Sequence, residues 1–192
     1  AAAASSPVRL AAAGAWAEPP KVVLFDGHEL DASLDAMALY PNAWTILDAG
    51  SARPGAVELA RRVDHLVASE RFACQLSGLP DLDAPPQQAA AMRKLHEHNG
   101  RPVVVTLGER GLLWGTGDRC QLMRAFKVKA VDTTAAGDVF HGAFAYGMLK
   151  ELPIETALRL AAAAAALSTT VPGGRISIPP LLQVQEFLAH AE

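Results

Sequence analysis

The chain has 192 residues, a formal net charge of −3, and 51% hydrophobic against 19% charged residues. At this length about 70% of the unfolded surface is buried on folding, enough for one ordinary core. The composition excludes a disordered, collagenous or coiled-coil polypeptide, and the charge supplies no basic field of the kind that draws proteins to nucleic acid or anionic membranes. Cys74 and Cys120 are the only cysteines, too few for a disulfide framework and in keeping with a reducing, cytoplasmic setting.

Residues 1–20 are expected to be an irregular or incompletely represented N-terminal segment. Ala1 to Ala4 stands where an initiator Met is usual, Pro7, Gly14 and the Pro19-Pro20 pair interrupt the stretch, and Leu10 to Trp16 is too short to span a bilayer. From Lys21 onward short apolar runs alternate with helical patterns. Val22 to Phe25 reads as a strand ending at Asp26-Gly27, and Leu30 to Tyr40 as a helix with Leu30, Leu34, Met37 and Ala38 on its apolar face. Trp44 to Leu47 is a second strand, and Pro54 to Arg62 a helix with proline in its first turn. His65 to Val67 is a third strand, followed by helices over Ser69 to Leu76 and Gln87 to Asn99, the latter closed by Gly100. The β-branched run Pro102 to Leu107 predicts a strand buried on both faces. This alternation predicts a parallel sheet with right-handed crossovers.

A hairpin is expected next, with Leu112 to Trp114, a turn over Gly115 to Asp118, and strands near Gln121 to Met123 and Phe126 to Val131. Three helices close the chain. Gly137 to Leu149 carries the face Phe140, Phe144 and Met148, Ile154 to Leu167 contains six consecutive alanines from Ala161 to Ala166, and the last covers Leu182 to Ala189. The alanine run allows close approach of a neighbouring backbone or a flat ligand, and tight helix-on-sheet packing explains it equally well.

The stretch Val131 to Ala143 carries the chemistry. A strand ends at Asp132, small residues make the turn, and a helix opens with its first free N–H groups from about Ala135 to Asp138. Small side chains let the backbone approach a phosphoryl group, and the positive helix end stabilises the charge that spreads over its oxygens during transfer. Asp138 stands at the helix mouth, where a carboxylate can take the proton of an attacking hydroxyl. Read alone, Thr133 and Asp138 are better explained as helix caps, and Asp132 as the cap of a turn. His96-Glu97-His98 has the types of a metal site, but residues two apart on a helix face different ways, so a solvated surface is expected there.

Asp132-Thr133-Thr134-Ala135-Ala136-Gly137-Asp138, with Gly142-Ala143 one turn on, resembles the second signature of the ribokinase-like, or PfkB, carbohydrate kinases. Val105 to Gly111 resembles that family's nucleotide-binding strand and loop, Arg159 to Pro179 its closing helix and loop, and Val63 to Gly78 the segment that sets a metal-linked polar group before a helix. The likeness covers about residues 22–190. Within the family, Ala125 to Val128, Asp138 to Gly142 and Val171 to Arg175 look most like bacterial sulfofructose kinases.

The resemblance implies a three-layer, doubly wound α/β fold with a mainly parallel sheet. Nothing in Ala1 to Pro20 resembles the family's N-terminal part and β lid, so residues 21–192 read as the ATP-binding portion. It implies ATP-dependent phosphorylation of a sugar or sugar-derivative hydroxyl, with Asp138 as catalytic base and Ala135, Ala136 and Gly137 as the anion hole. Thr106, Gly108, Gly111 and Ser69 fall at ATP-binding positions. Asp132, Thr134, Ser168, Val171, Gly173 and Ser177 fall where many members hold a monovalent cation such as K⁺, an oxygen cage suited to a hard ion. Mg²⁺ is expected with ATP, and Glu70 is a candidate link to it, because Ser69 and Phe72 stand where the family has Asn and Glu. Ala162 stands where Asn or His often lies beside the adenine. A small-molecule sugar partner and a homodimer are implied. The rival reading is a non-catalytic nucleotide- or sugar-responsive binding module on the same fold.

Overall fold

A computed structural model describes residues 18–117 and 119–191. The expectation for residues 1–17 and the turn residue Asp118 lies outside the described residues. The chain divides into two compact units, one made of residues up to 105 together with 114–120, the other of 106–113 together with 121 onward.

The sequence elements form nearly where their patterns place them: β1 (Val22–Phe25), α1 (Leu30–Leu39), β2 (Trp44–Ala49), α2 (Pro54–Ala60), β3 (His65–Ser69), α3 (Glu70–Ser77), α4 (Pro85–Asn99), β4 (Val103–Thr106), β5 (Leu112–Thr116) and β6 (Arg119–Met123). The strands lie in one sheet in the order β1-β2-β3-β4-β5-β6. β1 runs parallel to β2 with Val22 opposite Trp44, and β2 parallel to β3 with Ile46 opposite His65. Ile46, Leu47, Leu66, Val67, Val103 and Val105 are fully buried, the continuous burial typical of parallel strands covered on both faces.

Polar clamps fix the register of the first unit. Asp64 Oδ2 accepts from Thr45 N at 3.0 Å and from Thr45 Oγ1 at 2.8 Å, while Asp64 N donates back to Thr45 Oγ1 at 2.9 Å. The buried amide of Asn99 donates to the carbonyls of Ala60 at 2.7 Å and Val63 at 3.1 Å, tying the end of α4 to the end of α2. The expected apolar face of α1 is corrected by the structure: its buried residues are Ser33 and Ala36, Leu30, Leu34 and Met37 are half-buried, and Ala38 is exposed. Ser33 is admitted to the interior because its hydroxyl donates to Glu29 O at 2.6 Å, which removes the penalty of an unpaired buried polar group.

The second unit contains α5 (Ala136–Leu149), α6 (Ile154–Ser168) and α7 (Leu181–His190). Val139, Leu160, Ala163, Ala164 and Val184 form a core between them. Phe126 joins it edge-on to Phe187, with ring centroids 5.3 Å apart, and Arg159 stacks over the Phe126 ring at 5.2 Å. The alanines of α6 permit close helix-on-helix packing: a Cβ added to Gly147 on α5 would lie 2.7 Å from Ala157 Cβ on α6. Phe126 to Val131, expected to be a strand, pairs with none among the described residues. Its burial alternates as in a strand, with Phe126 and Val128 half-buried and Lys127 and Lys129 exposed. Side-chain alternation makes a segment extended, but a ladder also needs a neighbour's backbone, and the backbone N–H of Val131 goes to the Thr169 carbonyl at the end of α6, at 2.8 Å.

Candidate active site

The helix mouth is set by Ala135, which caps α5 in the left-handed conformation (φ 59°, ψ 13°) with no side-chain cap. A residue with a Cβ is strained there by about 1–2 kcal/mol, and such strain persists where the surrounding structure imposes it. The backbone N–H of Ala136 closes back on Thr133 O at 3.2 Å, and Val139 N bonds Ala135 O at 2.9 Å. Among the described residues the N–H groups of Ala135, Gly137 and Asp138 have no acceptor. Of the residues expected to form the anion hole, Ala136 spends its N–H on the turn, whereas Ala135 and Gly137, and also Asp138, keep theirs open. Gly137 is exposed, and a Cβ placed on it meets nothing within 4 Å, so the fold does not demand glycine there.

Asp138 is exposed in the first turn of α5, and neither it nor Thr133 caps the helix. Its carboxylate has no partner among the described residues. Together with Gly142, Tyr146, Leu160, Arg175 and Val184 it lines a cavity of about 510 Å³ with a mostly apolar wall. An acidic group held at a cavity beside three open N–H donors has the parts for proton abstraction next to a stabilised anion.

Asp132 binds a second loop to this mouth. Its Oδ1 accepts from Thr134 N at 2.9 Å and its Oδ2 from Gly173 N at 2.7 Å. These backbone N–H groups, Gly173 first, hold the carboxyl down at about 2, against an ordinary value of 3.8. The N–H groups of Val131 and Asp132 both go to Thr169 O, at 2.8 and 3.1 Å. Ser177 Oγ donates to Gly174 O at 2.9 Å, Ser168 O accepts from Val171 N at 3.4 Å, and an added Cβ at Gly174 would lie 3.1 Å from Ala135 Cβ. The structure thus gathers Asp132, Thr134, Ser168, Val171, Gly173 and Ser177 at one place, with the loop seated on the helix cap. Their carbonyl and carboxylate oxygens are of the hard kind a monovalent cation takes.

Thr106, Gly108 and Gly111 belong to a tight turn after β4. Leu107 N bonds Gly111 O at 2.8 Å, and Gly111 N bonds Gly108 O at 3.0 Å around the 3₁₀ turn Gly108–Arg110. Gly111 is required by the backbone itself: at φ 103° and ψ −133° a Cβ would overlap the Met123 carbonyl oxygen and lie 2.7 Å from Ala125 N.

Residues 29–181 match the model of the pfkB family carbohydrate kinases. The chain belongs to this family. It is 36% identical to a ribokinase of Haemophilus influenzae over 134 residues, covering 70% of this chain and 44% of that protein. A deoxyribokinase of Salmonella typhi is 37% identical over 133 residues, which is 69% of this chain and 43% of that protein. The structure of Arabidopsis thaliana ribokinase complexed with ribose and ATP superposes with a TM-score of 0.76 at 30% identity, covering 88% of this chain and 55% of that one. The chain spans less than half the length of the two curated relatives.

Two pfkB positions expected to serve nucleotide and metal lie in the first unit. Ser69 caps α3, accepting from Phe72 N at 3.0 Å and donating to Gly50 O at 2.9 Å, so its hydroxyl already serves the fold. Phe72 is fully buried, whereas Glu70 is half-buried in the first helical turn. Among the described residues no three His, Cys, Asp or Glu side chains gather as a metal site. His96 and His98 diverge as their spacing requires: His96 Nδ1 bonds Arg101 O and His98 Nε2 bonds Val57 O, each at 2.9 Å. His141, one turn after Asp138 and buried, carried no sequence signal of function. No helix among the described residues is long and apolar enough to cross a membrane.

Proposed function

We propose that the full-length protein is a carbohydrate kinase that moves the γ-phosphoryl group of ATP to a sugar hydroxyl. The unpartnered carboxylate of Asp138, beside the open N–H groups of Ala135, Gly137 and Asp138, is the observation that carries this reading. Asp138 takes the proton from the acceptor hydroxyl as the oxygen attacks, and the three N–H donors hold the charge that develops on the transferring group. ATP supplies the activated phosphoryl group. The turn of Thr106, Gly108 and Gly111 lies along its phosphates and ribose, the role its likeness to the family's loop implies. Mg²⁺ is brought mainly by ATP, since the Ser69 hydroxyl is already engaged by Gly50 O and Phe72 N and the Phe72 side chain carries no oxygen; magnesium keeps most of its waters.

The likeness to a ribokinase and a deoxyribokinase supports ribose or a deoxyribose as the first acceptor to try, with a sulfonated ketohexose kept from the sequence likeness. ADP release by the full-length protein, measured with ribose, deoxyribose, fructose and sulfofructose, tests this. Turnover with one of these sugars, lowered about 10²–10⁴-fold in Asp138→Asn with ATP affinity retained, is the expected result. ATP binding without turnover on any sugar would replace the kinase by the binding-module reading.

A further inference from the structure

We propose that His141 is a positioning residue for the phosphoryl cradle, an inference that rests on the kinase reading of Asp138 and its neighbours. His141 is only 4% exposed, and its Nδ1 lies 2.7 Å from the carbonyl oxygen of Gly137. A carbonyl can only accept, so Nδ1 carries the hydrogen. The Gly137 carbonyl belongs to the same peptide unit as the N–H of Asp138, one of the three open donors of the cradle. A bond to the oxygen of a peptide fixes the plane of that peptide and polarises its N–H, making it a better donor at the other end. The imidazole is itself held, its ring packed edge-on to Phe140 with centroids 5.7 Å apart at 77°. The sequence therefore places a rigid, buried donor one turn below the helix mouth, aimed at the back of the peptide that faces the phosphoryl group.

This differs from a packing role in which atom matters. Asn carries its amide nitrogen at the same distance from the backbone as Nδ1 of His, while Gln carries it one atom further, where Nε2 would be. Steady-state kinetics of the full-length protein should show His141→Asn within about threefold of wild type. His141→Gln and His141→Leu should lose about 10-fold in kcat, a fraction of the 10²–10³ that removal of a whole donor costs, with KM for ATP changed by less than threefold. In the ¹⁵N-labelled protein the Asp138 amide proton should move upfield in His141→Gln and stay near its wild-type position in His141→Asn. If His141→Leu does not fold, the Gln and Asn pair carries the comparison. Equal turnover in the Gln and Asn variants, or an unmoved Asp138 amide in His141→Gln, would overturn the proposal. Failure of the kinase reading shows differently, as wild-type protein without sugar-dependent ADP release, and the amide shift still decides whether His141 sets that peptide.

Discussion

Asp132 Oδ2 accepts the N–H of Gly173 at 2.7 Å, joining positions 41 residues apart. Because Oδ1 of the same carboxylate accepts from Thr134, one side chain fixes both the turn that leads into the cradle and the loop that sits on the cradle's cap. The two bonds together need the ionised form, because a protonated carboxyl keeps only one strongly accepting oxygen. The carboxyl is held down at about 2 in the folded chain, so its contribution is complete above the ordinary carboxylate value near 4 and is lost as pH falls from there toward 2. Acid unfolding of Asp132→Asn should lack that component: the variant is less stable than wild type at neutral pH, and the gap narrows below about pH 4. A gap that stays constant to pH 2 would show that the carboxylate does not staple the loop.

Gly137 and Gly111 differ in what a Cβ would meet: open space at the first, backbone at the second. Nothing lies within 4 Å of a Cβ at Gly137, so Gly137→Val should fold, while its methyl groups stand before the open N–H donors. Turnover should fall at least 10²-fold, as when an anion-hole donor is lost, with an unchanged circular dichroism spectrum. Gly111→Ala should do the opposite and lower the thermal midpoint, because its Cβ meets the backbone at Met123 and Ala125. An active Gly137→Val enzyme would move the phosphoryl group elsewhere.

Much of this was legible because local patterns and local structure coincide. The β-branched run at Val103 to Val105 and the small-residue turn before Asp138 each dictate one conformation, and both stand where expected. What the sequence concealed depends on distant partners. Phe126 to Val131 has the alternation of a strand, but whether it joins a ladder depends on a neighbour that no local pattern reveals. Ser33 looks polar and is buried, because Glu29 O satisfies it. The pairing of Asp132 with Gly173 and of His141 with Gly137 O needs side-chain direction as well as spacing, and His141 was hidden for that reason. Ser69 fitted a nucleotide-site position by resemblance, yet its hydroxyl is engaged by Gly50 and Phe72.

Ala135 is held at φ 59°, where glycine is strain-free. Ala135→Gly should therefore stabilise the protein by about 1 kcal/mol, the left-handed penalty less the extra freedom glycine gives the unfolded chain. Turnover should stay within a few-fold, since the backbone path of the cradle is unchanged. A loss of stability in denaturant unfolding would mean that the alanine methyl contributes packing against the 173–174 loop that outweighs the strain.

The cradle should also respond to a monovalent cation held among the oxygens of Asp132, Thr134, Ser168, Val171, Gly173 and Ser177. Asp132 already bridges the turn and the loop, and each carboxylate oxygen that accepts one N–H keeps a further lone pair for an ion. A potassium-sized ion there would stiffen the loop against Ala135 and so fix the N–H donors before reaction, acting through alignment and not through contact with the substrate. Turnover of the full-length protein in potassium should exceed that in tetramethylammonium at equal ionic strength by about 10-fold or more, the scale expected when one donor's alignment is at stake. In Asp132→Ala the two salts should give the same, lower rate. If wild type turns over equally in both, the oxygens do not form an ion site and Asp132 acts only as the staple to Gly173. A potassium effect that survives in Asp132→Ala would place the ion elsewhere.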